Sequence, residues 1–332
     1  MFAERANEYR QIEKERDTKV VLFATSERPN AETQIAPDAV EIFVDLLDSI
    51  GPTKKISMIL HTNGGQAATA WRIVNLVRSF CDELEVVIPS KAMSAGTLIS
   101  LGADRLVMTK QAALGPIDPS LTHALSPTVP MPGGMGRVPV SVEAVRGYLD
   151  AATKDLAIKD DAALAAVLVD LSNKIHPLVL GEIFRSRAQI RFLADKLIRR
   201  QVKDEEKIKT IIDFLCADSG SHDYTINRRE ASEFGLNIEK PSDALYSKLR
   251  VIYKDYATEM KLVEPFAPEA LIASQLSVNY ALVRGLIETV EGGSYGFVTE
   301  GVLTNVAGAP MPPGAPPMIT DQRTFEGWRK TP

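Results

Sequence analysis

A chain of 332 residues with 45% hydrophobic and 24% charged side chains has enough apolar material for one elaborated domain or two, and its composition is that of an ordinary globular protein. The formal net charge of -5 argues against a general affinity for nucleic acid or anionic lipid. Cys81 and Cys216, each inside an apolar pattern that reads as helical, predict buried free thiols; no apolar run is long enough to cross a bilayer, and the charged opening MFAERANEYRQIEKERD lacks the apolar centre of a signal peptide, so a cytoplasmic location is expected.

Taken in order, Val20 to Ala24 is a short continuous apolar run, the pattern of a strand buried on both faces. Pro37 opens a helix whose apolar positions Val40, Phe43, Val44, Leu47 and Ile50 recur at three and four, and Gly51 closes it. Lys55 to Leu60 predicts the second strand, running into His61-Thr62-Asn63-Gly64-Gly65 before a helix that carries Ile73, Val74, Val77 and Phe80. Leu84 to Ile88 is the third strand, a helix begins at Ser94, and Arg105 to Met108 is the fourth strand. Strands alternating with helices in this way predict an α/β fold, a parallel sheet with crossover helices. This core is assigned to residues 1–125, followed by a Pro/Gly-rich loop over 126–141. A mainly helical part spans 142–260, in which Leu164, Val167, Leu168, Leu171 and Ile175 form one apolar face and Leu245, Leu249, Ile252 and Tyr256 another. In the basic stretch from Phe184 to Arg200, the two phenylalanines Phe184 and Phe192 read as packing residues. Residues 261–306 carry a β-hairpin, Ala281 to Val290 and Tyr295 to Val306, and 307–332 form a Pro-rich tail.

Two stretches carry chemistry. In PSKAMSAGTLISLGADRLVMT the small residues Ala92, Ser94, Ala95 and Gly96 sit where a strand hands over to a helix, so a hydroxyl at Ser94 projects from a helix start with free N–H groups beside it. Close helix packing explains the same small residues equally well. Gly64-Gly65, between a strand and a helix, serves either chain geometry alone or a backbone N–H donor for a carbonyl oxygen that becomes negative in acyl transfer. No Gly-Lys-Ser/Thr follows the pair, which excludes a phosphate loop. Together the stretches place a donor and a nucleophile at one edge of a parallel sheet, where such sheets keep their sites.

HTNGG at His61 to Gly65, AMSAGTLISLGAD at Ala92 to Asp104, LGPIDP at Leu114 to Pro119 and NRREASEFGL at Asn227 to Leu236 resemble a family of serine peptidases. It includes signal peptide peptidase A and the proteolytic subunit of the Clp protease, and the nearest branch is similar to the serine dehydrogenase proteinases. The resemblance implies a Clp protease/crotonase-like fold, Ser94 as nucleophile, and backbone N–H groups of the Gly64-Gly65 pair and Ala95 as the oxyanion hole. Asn63 stands where many relatives have proline, and Gly115-Pro116 occupies the place of the Clp-type histidine. The signal peptide peptidase pattern therefore implies a lysine base, for which Lys154 in AATKD is the first candidate and Lys159 its rival. His222 is the alternative base, with Asp223 near the place of the acidic third member. His123 lies in the loop, while His61 at a strand end and His176 before Pro177 read as structural.

The expectation is a serine peptidase acting on a peptide or protein substrate, without cofactor or metal, in a homo-oligomer, with an ATPase or adaptor as a further partner and no nucleic-acid partner. A catalytically silent scaffold of the same fold and a crotonase-like acyl-thioester enzyme are the alternatives. The serine at the helix start speaks against the thioester enzyme, whose relatives act through carboxylates.

Overall fold

The computed structural model describes residues 1–117, 120–131, 134–218, 224–273, 275–306 and 319–331. Its centre is an eight-stranded sheet. The strands are β1 (Lys19–Thr25), β2 (Thr53–His61), β3 (Cys81–Ile88), β4 (Arg105–Met108), β5 (Ile238–Glu239), β6 (Ser277–Thr289), β7 (Gly293–Asn305) and β8 (Ile319–Thr331). Their spatial order is β5-β4-β3-β2-β1-β6-β7-β8; the first five run parallel, and β6 joins β1 antiparallel to begin a three-stranded meander. The α/β architecture with crossover helices is therefore present.

The helices are α1 (Phe2–Arg16), α2 (Ala39–Ile50), α3 (Ala67–Arg78), α4 (Ala95–Leu101), α5 (Val142–Asp150), α6 (Asp161–Lys174), α7 (Pro177–Ile198), α8 (Glu205–Asp213) and α9 (Asp243–Glu259). Because successive strand residues face opposite sides, β2 sends Ile56, Met58 and Leu60 into the core under α2, α3, α4, α7 and α8, and Ile59 into a second core under α1 and α9. Leu245, Leu249, Ile252 and Tyr256 all lie in that second core. Its polar centre is Arg5, fully buried, whose guanidinium donates to both carboxylate oxygens of Glu288 at 2.9 and 2.6 Å. Tyr9 and Ser294 donate to the same carboxylate at 2.7 and 2.8 Å.

Several expectations are corrected. Cys81 opens strand β3 instead of lying in a helix, although it and Cys216 are buried and outside any disulfide. Ile319–Thr331, expected as part of a tail, is a full strand paired along β7; the proline-rich run 307–318 itself lies outside the described residues. Part of the loop at 126–141 is a short hairpin, Thr128–Met131 with Gly134–Arg137. Of the apolar face predicted on α6, Leu171 is buried, Leu164, Val167 and Ile175 are half-buried, and Leu168 is exposed. Phe184 and Phe192 are exposed as well, with Lys196 held 5.5 Å from the Phe192 ring centroid.

Candidate active site

Every parallel strand ends at the same edge of the sheet, and the candidate residues sit on the connections that leave it. After β3 the chain makes a two-residue strand, Lys91–Ala92, beside Ala113–Leu114, and then turns into α4 at Ser94. Ser94 has φ 50° and ψ -112°, left-handed backbone that a residue with a side chain adopts only under restraint. The restraint is visible. The Met93 N–H donates to the Thr62 carbonyl at 3.0 Å and the Gly96 N–H to the Met93 carbonyl at 2.8 Å. Behind the turn, the buried Thr97 hydroxyl lies 2.9 and 2.8 Å from the carbonyls of Ala92 and Gly115 and accepts the Gly115 N–H at 3.1 Å. Gly96 is required by packing, since a Cβ there would stand 2.5 Å from Thr62 Cγ2.

The glycine turn is pinned from its other side. Ile35 forms an isolated parallel bridge with Gly65: its N–H donates to the Gly64 carbonyl at 2.8 Å, and its carbonyl accepts the Gln66 N–H at 2.9 Å. Gly65, at φ 147°, has no space for a side chain, because a Cβ would fall 2.3 Å from the Ile35 carbonyl oxygen. Gly64, at φ 117°, faces the serine: a Cβ there would be 2.8 Å from Ser94 Cβ and 3.3 Å from the Ala95 nitrogen. Gly64, Ser94 and Ala95 therefore meet at one place, with Gly65 next in the chain and turned against Ile35. Their N–H groups are not equivalent, however. That of Gly64 donates to Thr62 Oγ1 at 2.9 Å, whereas those of Gly65 and Ala95 have no acceptor among the described residues.

The candidate bases are distributed differently. Lys154 lies on a single π-helical turn, Ala151–Asp155, with 68% of its side chain exposed and its Nζ 2.9 Å from Asp150 Oδ2. That turn packs on α5 and α6, so the water-excluding surroundings expected from Ala151 and Ala152 are not supplied to Lys154 within the single chain. Lys159 is exposed in the following turn. His123 accepts the Leu125 N–H at Nδ1 (3.1 Å) and lies 3.7 Å from Glu182, and His176 caps α7 through Nδ1. His222 and Asp223 lie outside the described residues. The Ser94 hydroxyl has no hydrogen-bond partner among the described residues.

His61 is fully buried and faces the second core, on the opposite side of β2 from Thr62 and α4. Its Nε2 lies 3.4 Å from Glu27 Oε1 without the geometry of a hydrogen bond, and Lys91 pairs with the other carboxylate oxygen. Partial burial pushes the Glu27 carboxyl up, but His61 and Lys91 together pull it further down, to about 2 from an ordinary 4.5. A pKa depressed by folding contributes stability that is complete above the unfolded value and is lost as pH falls through the folded one. Urea unfolding measured between pH 5 and pH 2 is thus expected to show a steeper loss of stability for the native chain than for Glu27→Gln. Parallel curves would exclude this role. Neither Glu27 nor Lys91 is marked by any sequence motif; only the fold brings them under the active edge. Thr62, in contrast, lies inside the HTNGG motif, and its hydroxyl, which accepts from Thr25 Oγ1 at 2.7 Å, ties the motif to β1.

A serine on a strained strand-to-helix turn lies here against a glycine turn at the edge of a parallel sheet, with backbone donors that have no acceptor among the described residues, an arrangement suited chemically to acyl transfer. Residues 2–131 match the family described as ClpP-like SDH-type serine proteinase. The uncharacterized protein MJ0137 of Methanocaldococcus jannaschii is 30% identical over 211 residues, 64% of this chain and 63% of that protein. A second protein of the same organism, MJ1495, is 27% identical over 237 residues, 69% of each chain. The chain thus spans just under two thirds of the length of the first of these relatives. Among solved structures, ClpP1 from Listeria monocytogenes is similar over 71% of this chain and 99% of its own, at 18% identity and a TM-score of 0.37. The membrane-bound stomatin-specific protease 1510-N is similar over 65% and 79%, at 17% identity and a TM-score of 0.36.

Proposed function

We propose that the chain is a serine peptidase that cleaves peptide bonds through an acyl-enzyme at Ser94. The observation that carries this reading is the juxtaposition of the strained Ser94 with the Gly64-Gly65 turn, beside which the N–H groups of Gly65 and Ala95 are free. In this reading Ser94 Oγ attacks the peptide carbonyl as its proton passes to a base. The oxygen that becomes negative accepts from Gly65 and Ala95, and the proton is delivered to the leaving amine. Water then releases the acyl group and Ser94 recovers its proton. Gly64 holds the turn, with its own N–H committed to Thr62.

Three residues have the chemistry of the base. Lys154 and its rival Lys159 must first lose their hydration, which an assembled form or bound substrate would bring about, whereas His222 accepts a proton near neutral pH without that step. Assembly of several copies fits the apolar residues left exposed on α6 and α7, among them Leu168, Val169 and Leu178. A fluorophosphonate probe tests the whole reading: the folded protein is expected to be labelled at Ser94, identified by mass spectrometry of the tryptic peptide. Labelling should be lost in whichever of Lys154→Ala, Lys159→Ala or His222→Ala removes the acceptor. A folded protein that takes up no label would instead be a noncatalytic assembly protein, the reading favoured by the unpartnered Ser94 hydroxyl.

A further inference from the structure

The glycine turn also forms one wall of a cavity of about 520 Å³, closed on the opposite side by the antiparallel strands. That far wall is aromatic: Phe297 of β7 and Trp328 of β8 meet edge to face, their ring centroids 5.6 Å apart. Both residues lie outside the stretch 2–131 that matches the peptidase family. Arg284 is the one cation among the described lining residues, and its guanidinium is occupied. It donates to Glu326 at 3.0 Å, Thr299 Oγ1 at 2.9 Å, the Ala31 carbonyl at 3.2 Å and the Glu32 carbonyl. Glu326 is balanced in turn by Arg284 and by Arg323 at 2.8 Å. What remains at the rim are the exposed carboxylates of Glu32 and Asp38, neither within ion-pair distance of a cation among the described residues. The Phe297 ring already carries the Arg284 guanidinium 5.7 Å from its centroid, and Glu32 Oε1 accepts the Asn30 N–H at 3.2 Å; Trp328 under two carboxylates without a cation at ion-pair distance among the described residues suits a long aliphatic stem that ends in a positive charge.

Position makes this cavity relevant to the reaction. Gly64 lines it and at the same time lies against Ser94, so a single residue separates the cavity from the nucleophile. We propose that the cavity is a specificity subsite that takes a lysine or arginine side chain of the peptide, adjacent to the carbonyl held at the glycine turn. The proposal rests on the peptidase reading for its place beside the scissile bond, but binding can be measured without turnover.

The test uses the full-length Ser94→Ala protein and two fluorescein-labelled hexapeptides, one with a single lysine in an alanine background and one with norleucine in its place. Fluorescence anisotropy is expected to show the lysine peptide binding about tenfold more tightly, with the advantage shrinking as salt is added. The advantage should disappear in protein that also carries Glu32→Gln and Asp38→Asn, substitutions that keep shape and remove charge. Equal binding of the two peptides, no binding of either, or an undiminished advantage in the charge-removed protein overturns the proposal. Fluorophosphonate labelling of the unsubstituted protein is run in parallel. Labelling without lysine preference retires the subsite and keeps the peptidase; lysine preference without labelling keeps the site and retires the peptidase.

Discussion

Ser94→Ala is expected to lower peptide hydrolysis by a factor on the order of 10⁶, the loss seen when the nucleophile of a serine peptidase is removed and only the oxyanion donors and substrate binding remain. The argument is geometric. The other hydroxyl at the meeting point of Gly64 and Ala95, that of Thr62, is fully buried and accepts from the Gly64 N–H and from Thr25 Oγ1, which leaves Ser94 as the nucleophile there; its remaining neighbours are Met93 and Gly96. Alanine keeps a Cβ at a position already held at φ 50°, so the turn and its hydrogen bonds are retained and the variant should unfold at the same urea concentration as the parent. Steady-state hydrolysis of a fluorogenic peptide measures the effect. A variant that retains activity within about tenfold of the parent would place the chemistry elsewhere.

Glu288→Ala is expected to have the largest effect on stability, a loss of about 3–5 kcal/mol, because it takes from the buried Arg5 charge its one fully buried carboxylate partner among the described residues. Arg5 has no exposed side-chain surface, and Glu288 is equally buried. Removing the carboxylate takes both of its bonds from the guanidinium and leaves the hydroxyls of Tyr9 and Ser294 without this acceptor. Glu259 at 2.6 Å and Asp255 still meet the guanidinium from the other side, so the protein should fold, with a lower urea midpoint and an unchanged slope. The double variant Arg5→Met/Glu288→Leu, which removes both charges, should recover most of the loss. A double variant no more stable than Glu288→Ala would show that packing, not the unbalanced charge, sets the effect.

The parallel half of the sheet was legible because a strand buried on both faces is largely apolar, as in Val20 to Ala24 and, around the buried and ion-paired Glu85, Leu84 to Ile88. The active edge was legible for a related reason: Gly64, Gly65 and Gly96 each occupy a place where a Cβ would collide, so the chain has no alternative there. What escaped the sequence is held by polar contacts, which leave no periodic pattern. Helix α1 has only a thin apolar stripe, Phe2, Ala6, Tyr9 and Ile12, and docks also through Arg5 and Tyr9 on Glu288, which lies 283 positions beyond Arg5. Strand β8 is polar on an outer edge, where alternation with a core is not required, so ITDQRTFEGWRKT reads as tail. The expected surroundings of Lys154 failed because small neighbours in sequence do not determine burial in space. His222 and Asp223 lie outside the described residues and stay candidates.

The backbone at Ser94 is one that glycine would enter freely and serine enters at a cost of about 1–3 kcal/mol. A bare glycine at this corner would accordingly make the chain firmer. Serine there means that stability is given up at one of the six non-glycine positions with positive φ among the described residues, the one at which, in the proposed reading, a reactive oxygen has to stand clear of its own helix.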